Sequence, residues 1–199
     1  MASAPTIDVP GSGYPISFEV AYPERLSRGL IFVKWLIALP HYVIIYALNI
    51  AFEVLSVIAF FAILFTKKYP RGIFDFNVGI RRWQANVGAY VGLLLDEYPP
   101  FSFDAGQYPL AFSVDYPEEL GRFAPLYKWL LAIPHIIVLA FLMFAVFFTT
   151  IVAWFAILFT GRYPESLFRF AVGVQRWNQR VSLYALFMTD EYPPFSLNP

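Results

Sequence analysis

The sequence contains no cysteine, which removes disulfides, thiolate metal sites and cysteine nucleophiles together. Histidine is nearly absent too, with His41 and His135 the only two. Charge is sparse: Asp, Glu, Lys and Arg make up 14% of the chain, against about 25% in an average globular domain. The 14 basic and 14 acidic residues cancel, so no global field draws a polyanion, and no basic cluster is interleaved with aromatics. Nucleic acid is therefore not an expected partner. Residues Met1 to Gly13 lack a basic segment followed by an apolar core, so no cleaved signal peptide is expected. There is no Ser/His/Asp order, metal-ligand cluster, HExxH or phosphate-cradling glycine loop, and the expectation is a protein that is not an enzyme.

What the chain has in quantity is apolar surface. Apolar residues are 59% and aromatic residues 20% of it, and both concentrate in two runs, Trp35 to Phe65 and Trp129 to Phe159. The runs are copies. Tyr14 to Ser102 aligns with Tyr108 to Ser196 without a gap, so Ala59-Phe60-Phe61-Ala62-Ile63-Leu64-Phe65-Thr66 returns as Ala153-Trp154-Phe155-Ala156-Ile157-Leu158-Phe159-Thr160. Two units are expected, 14–102 and 108–196.

Each unit opens on a segment with the strand period of two, Tyr14 to Val20 and Tyr108 to Val114. Each closes on Asp-Glu-Tyr-Pro-Pro-Phe-Ser, at 96–102 and 190–196, whose prolines prohibit helix. Phe101 and Phe103 alternate before Ala105-Gly106, and Leu110, Phe112 and Val114 after it, which predicts a hairpin there and small extramembrane ribbons. As one helix, an apolar run of about 31 residues would measure roughly 46 Å, well over a hydrocarbon thickness of about 30 Å. Two solutions stand: a helical hairpin with its tip near Asn49 to Glu53 and near Met143 to Thr150, or a long helix kinked at Pro40 and Pro134. The hairpin is preferred, because units that match so closely in their polar ends should present those ends to the same compartment, with all their Lys and Arg on one side. The last element is an amphipathic helix, with Ile73, Phe76, Ile80, Trp83, Val87, Tyr90 and Leu94 repeated as Leu167, Phe170, Val174, Trp177, Val181, Tyr184 and Met188. It is expected in the headgroup plane or packed against the spans. The fold class is thus a mainly α integral membrane protein built from a duplicated unit.

The motif string, a Pro-His-containing apolar run, Ala-x-Phe-Ala-Ile-Leu-Phe-Thr-x-x-Tyr-Pro, Phe-x-Val-Gly-x-x-Arg-Trp and Asp-Glu-Tyr-Pro-Pro-Phe-Ser, resembles the DUF4389 family of bacterial integral membrane proteins in both units. The resemblance implies a bacterial cell-membrane location and brings no activity or cofactor. The copies differ at Lys67-Lys68 against Gly161-Arg162, and at Glu53 against Phe147.

Several residues carry possible chemistry, each beside a plainer reading. His41 and His135 occupy equivalent positions and could ligate a haem iron if they faced each other; the plainer role is a histidine near the interface, after a helix-disturbing proline, satisfying a freed carbonyl. Arg82-Trp83 and Arg176-Trp177 could hold anionic lipid headgroups, or merely anchor at an interface. Glu53 is a lone carboxylate in an apolar run, a candidate for proton handling or a solvated tip. Gly88 and Gly92 have the spacing of close helix packing. The Asp-Glu pairs at 96–97 and 190–191 point to opposite faces of an extended chain. Membrane lipids and other membrane subunits are the expected partners. A scaffold or accessory subunit is the first functional expectation, a small transporter or lipid-handling protein with a site at the repeat interface the second, and a haem- or pigment-binding subunit the third.

Overall fold

The computed structural model describes residues 13–199; the stretch read as lacking a signal peptide lies outside the described residues, apart from Gly13. The order of elements is β1 (Ile16–Val20), α1 (Leu30–Ile37), α2 (Leu39–Thr66), α3 (Arg71–Val91), β2 (Leu110–Val114), α4 (Ala124–Thr160) and α5 (Glu165–Ala185).

The apolar runs do not fold back on themselves. Asn49 to Glu53 and Met143 to Thr150, the expected hairpin tips, lie in unbroken helix. Neither segment contains a Gly or Pro that would end a helix, so the helical hydrogen bonds run through both. The long-helix alternative is the observed one, and the two prolines act differently. Pro40 sits in the first turn of α2, after a break at Ala38, whereas Pro134 lies inside the continuous α4. A proline removes one donor and crowds the preceding turn; α4 absorbs this, while α1 and α2 separate at one residue. Both long helices end on a left-handed residue, Lys67 at φ 60° and Gly161 at φ 71°, the usual way to satisfy the last carbonyls. Leu30–Thr66 and Ala124–Thr160 are each 37 residues, long and apolar enough to cross a membrane.

The long helices run antiparallel. Leu26 N–H bonds the Gly161 carbonyl, Leu120 N–H bonds the Lys67 carbonyl, and Phe32 meets Trp154 edge to face. The start of each therefore lies beside the end of the other. Cations therefore stand at both ends of the antiparallel pair: Arg25 and Arg28 sit with Arg162 around one end, and Lys67 sits with Leu120 at the other.

The strands also pair between units. β1 and β2 form a two-stranded antiparallel ribbon, with Phe18 opposite Phe112 and Ile16 opposite Val114. The expected hairpin around Ala105-Gly106 does not form; residues 101–109 are irregular, and the alternation there is satisfied by a partner from the other copy. Each strand then packs on the other unit's amphipathic helix. Arg176 of α5 donates to the Phe18 carbonyl of β1, and Arg82 of α3 to the Phe112 carbonyl of β2. Tyr22 and Tyr116 hydroxyls close the exchange by donating to the Tyr163 and Tyr69 carbonyls.

α3 and α5 are thereby sandwiched between the long helices and the ribbon. Their apolar residues meet α2 and α4; Phe74, Ile80, Trp83 and Tyr90 are buried, as are Phe168, Val174, Trp177 and Tyr184. Burying one such large side chain contributes about 1.5–3 kcal/mol. Arg82 and Arg176 turn to the ribbon, while Arg71 and Arg169 stay exposed; of the two expected placements, packing against the long helices is the one observed. Ala59, Ile63, Ala153 and Ile157 join one core with β1, β2, α3 and α5, so the halves share a single apolar interior.

Candidate functional site

Polar side chains cluster in three pairs related by the duplication. The first pair is the histidines. Trp83 Nε1 donates to His41 Nδ1 at 2.9 Å, and Trp177 Nε1 to His135 Nδ1 at 3.1 Å. The closing Pro-Pro-Phe segment of each unit covers its own histidine. Phe101 stacks on His41 at 4.0 Å and Phe195 on His135 at 3.8 Å, while Tyr98 and Tyr192 lean on the same rings at 4.9 Å. An Nδ1 that accepts a hydrogen bond leaves the proton of a neutral imidazole on Nε2. Both Nε2 atoms are buried and without a partner, so neither histidine satisfies a carbonyl, and neither presents a free lone pair. The rings sit in separate nests, one per unit.

The second pair went unrecognised in the sequence. Lys34 and Lys128 are fully buried. Lys34 Nζ lies 2.8 Å from Asp96 Oδ1 and 2.7 Å from the Leu95 carbonyl; Lys128 Nζ lies 2.5 Å from Asp190 Oδ1 and 2.6 Å from the Thr189 carbonyl. The other carboxylate oxygens accept from Ser27 N–H and Gly121 N–H. One carboxylate of each Asp-Glu pair thus staples the end of the unit to the start of its long helix. The signal was available: Lys34 stands seven residues before His41, on the same helical stripe, and a buried cation needs an acid.

The third pair is Arg82 and Arg176. Besides Phe112, Arg82 donates to the Phe103 carbonyl; Arg176 donates to the Leu197 carbonyl and pairs with Glu19 at 2.6 Å. Burial pushes the Arg82 guanidinium down from its ordinary value, opposed by Asp104. The two guanidiniums expected at lipid headgroups are thus occupied by carbonyls at the ribbon edge, and the two indoles by histidine. Glu53 is exposed on α2, and the Gly88 to Gly92 turn lines a cavity of about 100 Å³ between the units.

Comparison with known proteins agrees with this duplication. The model of a domain of unknown function, DUF4389, matches residues 28–102 and again 124–196. The chain belongs to the DUF4389 family. No curated protein and no solved structure matches it. Both DUF4389 matches begin after the strand, and it is the strand that each unit exchanges with its neighbour.

Among the described residues, two arginines with a buried, unpartnered Nε are in no ion pair: Arg180, which donates to the Asn198 carbonyl, and Arg81. Arg81, next to the ribbon-bound Arg82 in the first DUF4389 unit, has no equivalent in the second, where Gln175 stands in its place. Its guanidinium lies 4.9 Å from the Phe52 ring and makes a long contact of 3.4 Å to Gln84. Its Nε is buried without a partner, and it takes part in none of the ion pairs among the described residues. Burial pushes it below its ordinary value, yet an arginine stays charged. It lines a groove of about 440 Å³ formed with α4 and α5 of the other unit.

Proposed function

We propose that this protein is a non-enzymatic, membrane-embedded scaffold whose long helices lie along the bilayer within one leaflet, leaving the ribbon in water as a docking face for other membrane subunits. The observation that carries it is the distribution of apolar surface. Only 17% and 11% of the most apolar windows of the long helices is buried, and Val43, Tyr46, Phe65, Phe141, Phe144 and Phe159 are each more than 60% exposed. An apolar expanse of this size marks a lipid or protein contact.

Orientation follows from the ribbon. It runs beside α5, since Tyr14 reaches the Glu191 carbonyl past the end of that helix and Tyr22 the Tyr163 carbonyl before its start. Long helices standing upright would carry this ribbon, with its open edges and with exposed Ser113, Asp104 and Gln107, into hydrocarbon. Open sheet edges do not occur there. Laid flat, helices of about 55 Å keep cations at both ends at headgroup level, where anionic lipids attract them.

Single cysteines at Arg28 and Lys68, at the two ends of one long helix, test this in sealed vesicles with an impermeant maleimide. Both are expected to label from the side that labels Ser113→Cys, while Ile50→Cys and Phe144→Cys stay protected. Labelling of the two ends from opposite sides overturns the orientation. The scaffold reading is supported by the consumption of the most chemical-looking side chains in internal contacts; purification in mild detergent without any stoichiometric partner subunit overturns it. Lipid handling is a second reading, favoured by the groove beside Arg81.

A further inference from the structure

We infer that the groove between α4, α5 and Arg81 binds one long-chain carboxylate, a free fatty acid, with Arg81 taking the head and the groove taking the chain. The walls are apolar, including Leu139, Met143 and Val181, and Asn178 and Ser182 supply the remaining polar groups. At about 30 Å³ per water-sized group, 440 Å³ holds roughly fifteen methylenes, one chain rather than the two of a phospholipid. A largely apolar cleft with few convergent polar groups is the usual form of a small-molecule site.

The charge argument is independent of the shape. Lys34, Lys128 and Arg176 are each matched to a carboxylate, and Arg82 to two carbonyls. Arg81 has neither, although removing a charge from water without a counter-ion is costly. A carboxylate can meet a guanidinium through two parallel hydrogen bonds, and here Nε is among the unused donors. The duplication marks the same place. The equivalent site in the other unit has Gln175 for Arg81, with Tyr42 and Tyr46 for Ile136 and Ala140, and is bridged by Gln84 donating to Asn49. The two copies thus differ here: one site has a cation with Ile136 and Ala140 in its wall, and the other has neutral Gln175 with two tyrosines.

The inference rests on the embedded reading, because the groove mouth carries Ile136 and Met143, exposed on the face assigned to lipid. The test uses the full chain in mild detergent, with palmitate and its uncharged analogue hexadecanol as probes. Binding is read by native mass spectrometry and by displacement of a fluorescent fatty acid. One palmitate per chain is expected, with hexadecanol at least tenfold weaker. Arg81→Gln, which installs the other unit's residue, should weaken palmitate at least tenfold and leave hexadecanol unchanged; Met143→Trp should remove both. Equal binding of palmitate and hexadecanol by the unmodified chain overturns the inference without recourse to any variant. So does phosphatidylglycerol competing as well as palmitate, or Arg81→Gln binding palmitate undiminished. Maleimide labelling from opposite sides together with Arg81-dependent palmitate binding would sink the orientation alone; one-sided labelling without such binding would sink the groove alone.

Discussion

Asp96→Asn isolates the staple that ties the end of the first unit to its long helix. Lys34 keeps 2% of its side-chain exposure and Asp96 26%. Removing the carboxylate strands a buried ammonium, which costs about 3–5 kcal/mol when both partners are fully buried. Here the Leu95 carbonyl still accepts from Nζ, and Asp96 retains contact with solvent. A loss of about 2–3 kcal/mol is therefore expected, as a modest discount on that range. Asparagine can still accept from Ser27 N–H, so the loop contact is preserved and the cation alone is perturbed. At about 2–4 °C per kcal/mol for a chain of this size, the midpoint should fall by about 4–12 °C. Lys34→Met should cost less, because the orphaned carboxylate can hydrate. The double variant should be no worse than Lys34→Met alone, giving a coupling of about 2–3 kcal/mol, the whole of the Asp96→Asn loss. Thermal unfolding in one fixed detergent, followed by circular dichroism, measures all three. If Asp96→Asn shifts the midpoint by less than about 2 °C, or if the two single losses simply add, the buried pair is not what holds this segment.

Three further outcomes follow from particular contacts. Gly79→Ala places a methyl 2.8 Å from Phe103 Cβ and should cost about 1–3 kcal/mol by overpacking, read as a lower unfolding midpoint; Gly72→Ala, with nothing within 4 Å, is the control. Lys67→Gly relieves a left-handed residue at φ 60° that the second copy already fills with Gly161, and should stabilise by up to about 1 kcal/mol; an unchanged or lower midpoint refutes it. Burial raises the pKa values of Tyr69 and Tyr108 above the ordinary phenol value. Folded pKa values above the unfolded ones mean that this stability is intact below about pH 10 and lost as pH rises beyond it. Unfolding midpoints measured from pH 8 to 11 should fall at the alkaline end, less steeply in Tyr69→Phe and Tyr108→Phe; parallel profiles would contradict the assignment.

The sequence by itself determined the local and repetitive facts. Its duplication, its two apolar helices, the 3.6-residue period of α3 and α5 and the period-two strands are written in residue order, because each is fixed by neighbours within a few positions. It also pointed to His41 and His135 as equivalent positions, though not to their burial. Tertiary structure decided what each element meets. β1 and β2 carry the same alternation, and alternation fixes which face is buried but names no partner; pairing across copies rather than in a hairpin became visible only with the chain folded. The indoles of Trp83 and Trp177, the buried lysines and the ribbon-bound arginines were legible as residue types, but their partners lie 21 to 158 positions away. The antiparallel packing of the two duplicated helices followed the same logic. Two copies of one apolar surface constrain each other's position through contacts at their ends, Leu26 with Gly161 and Leu120 with Lys67, and those contacts exist only between distant parts of the chain.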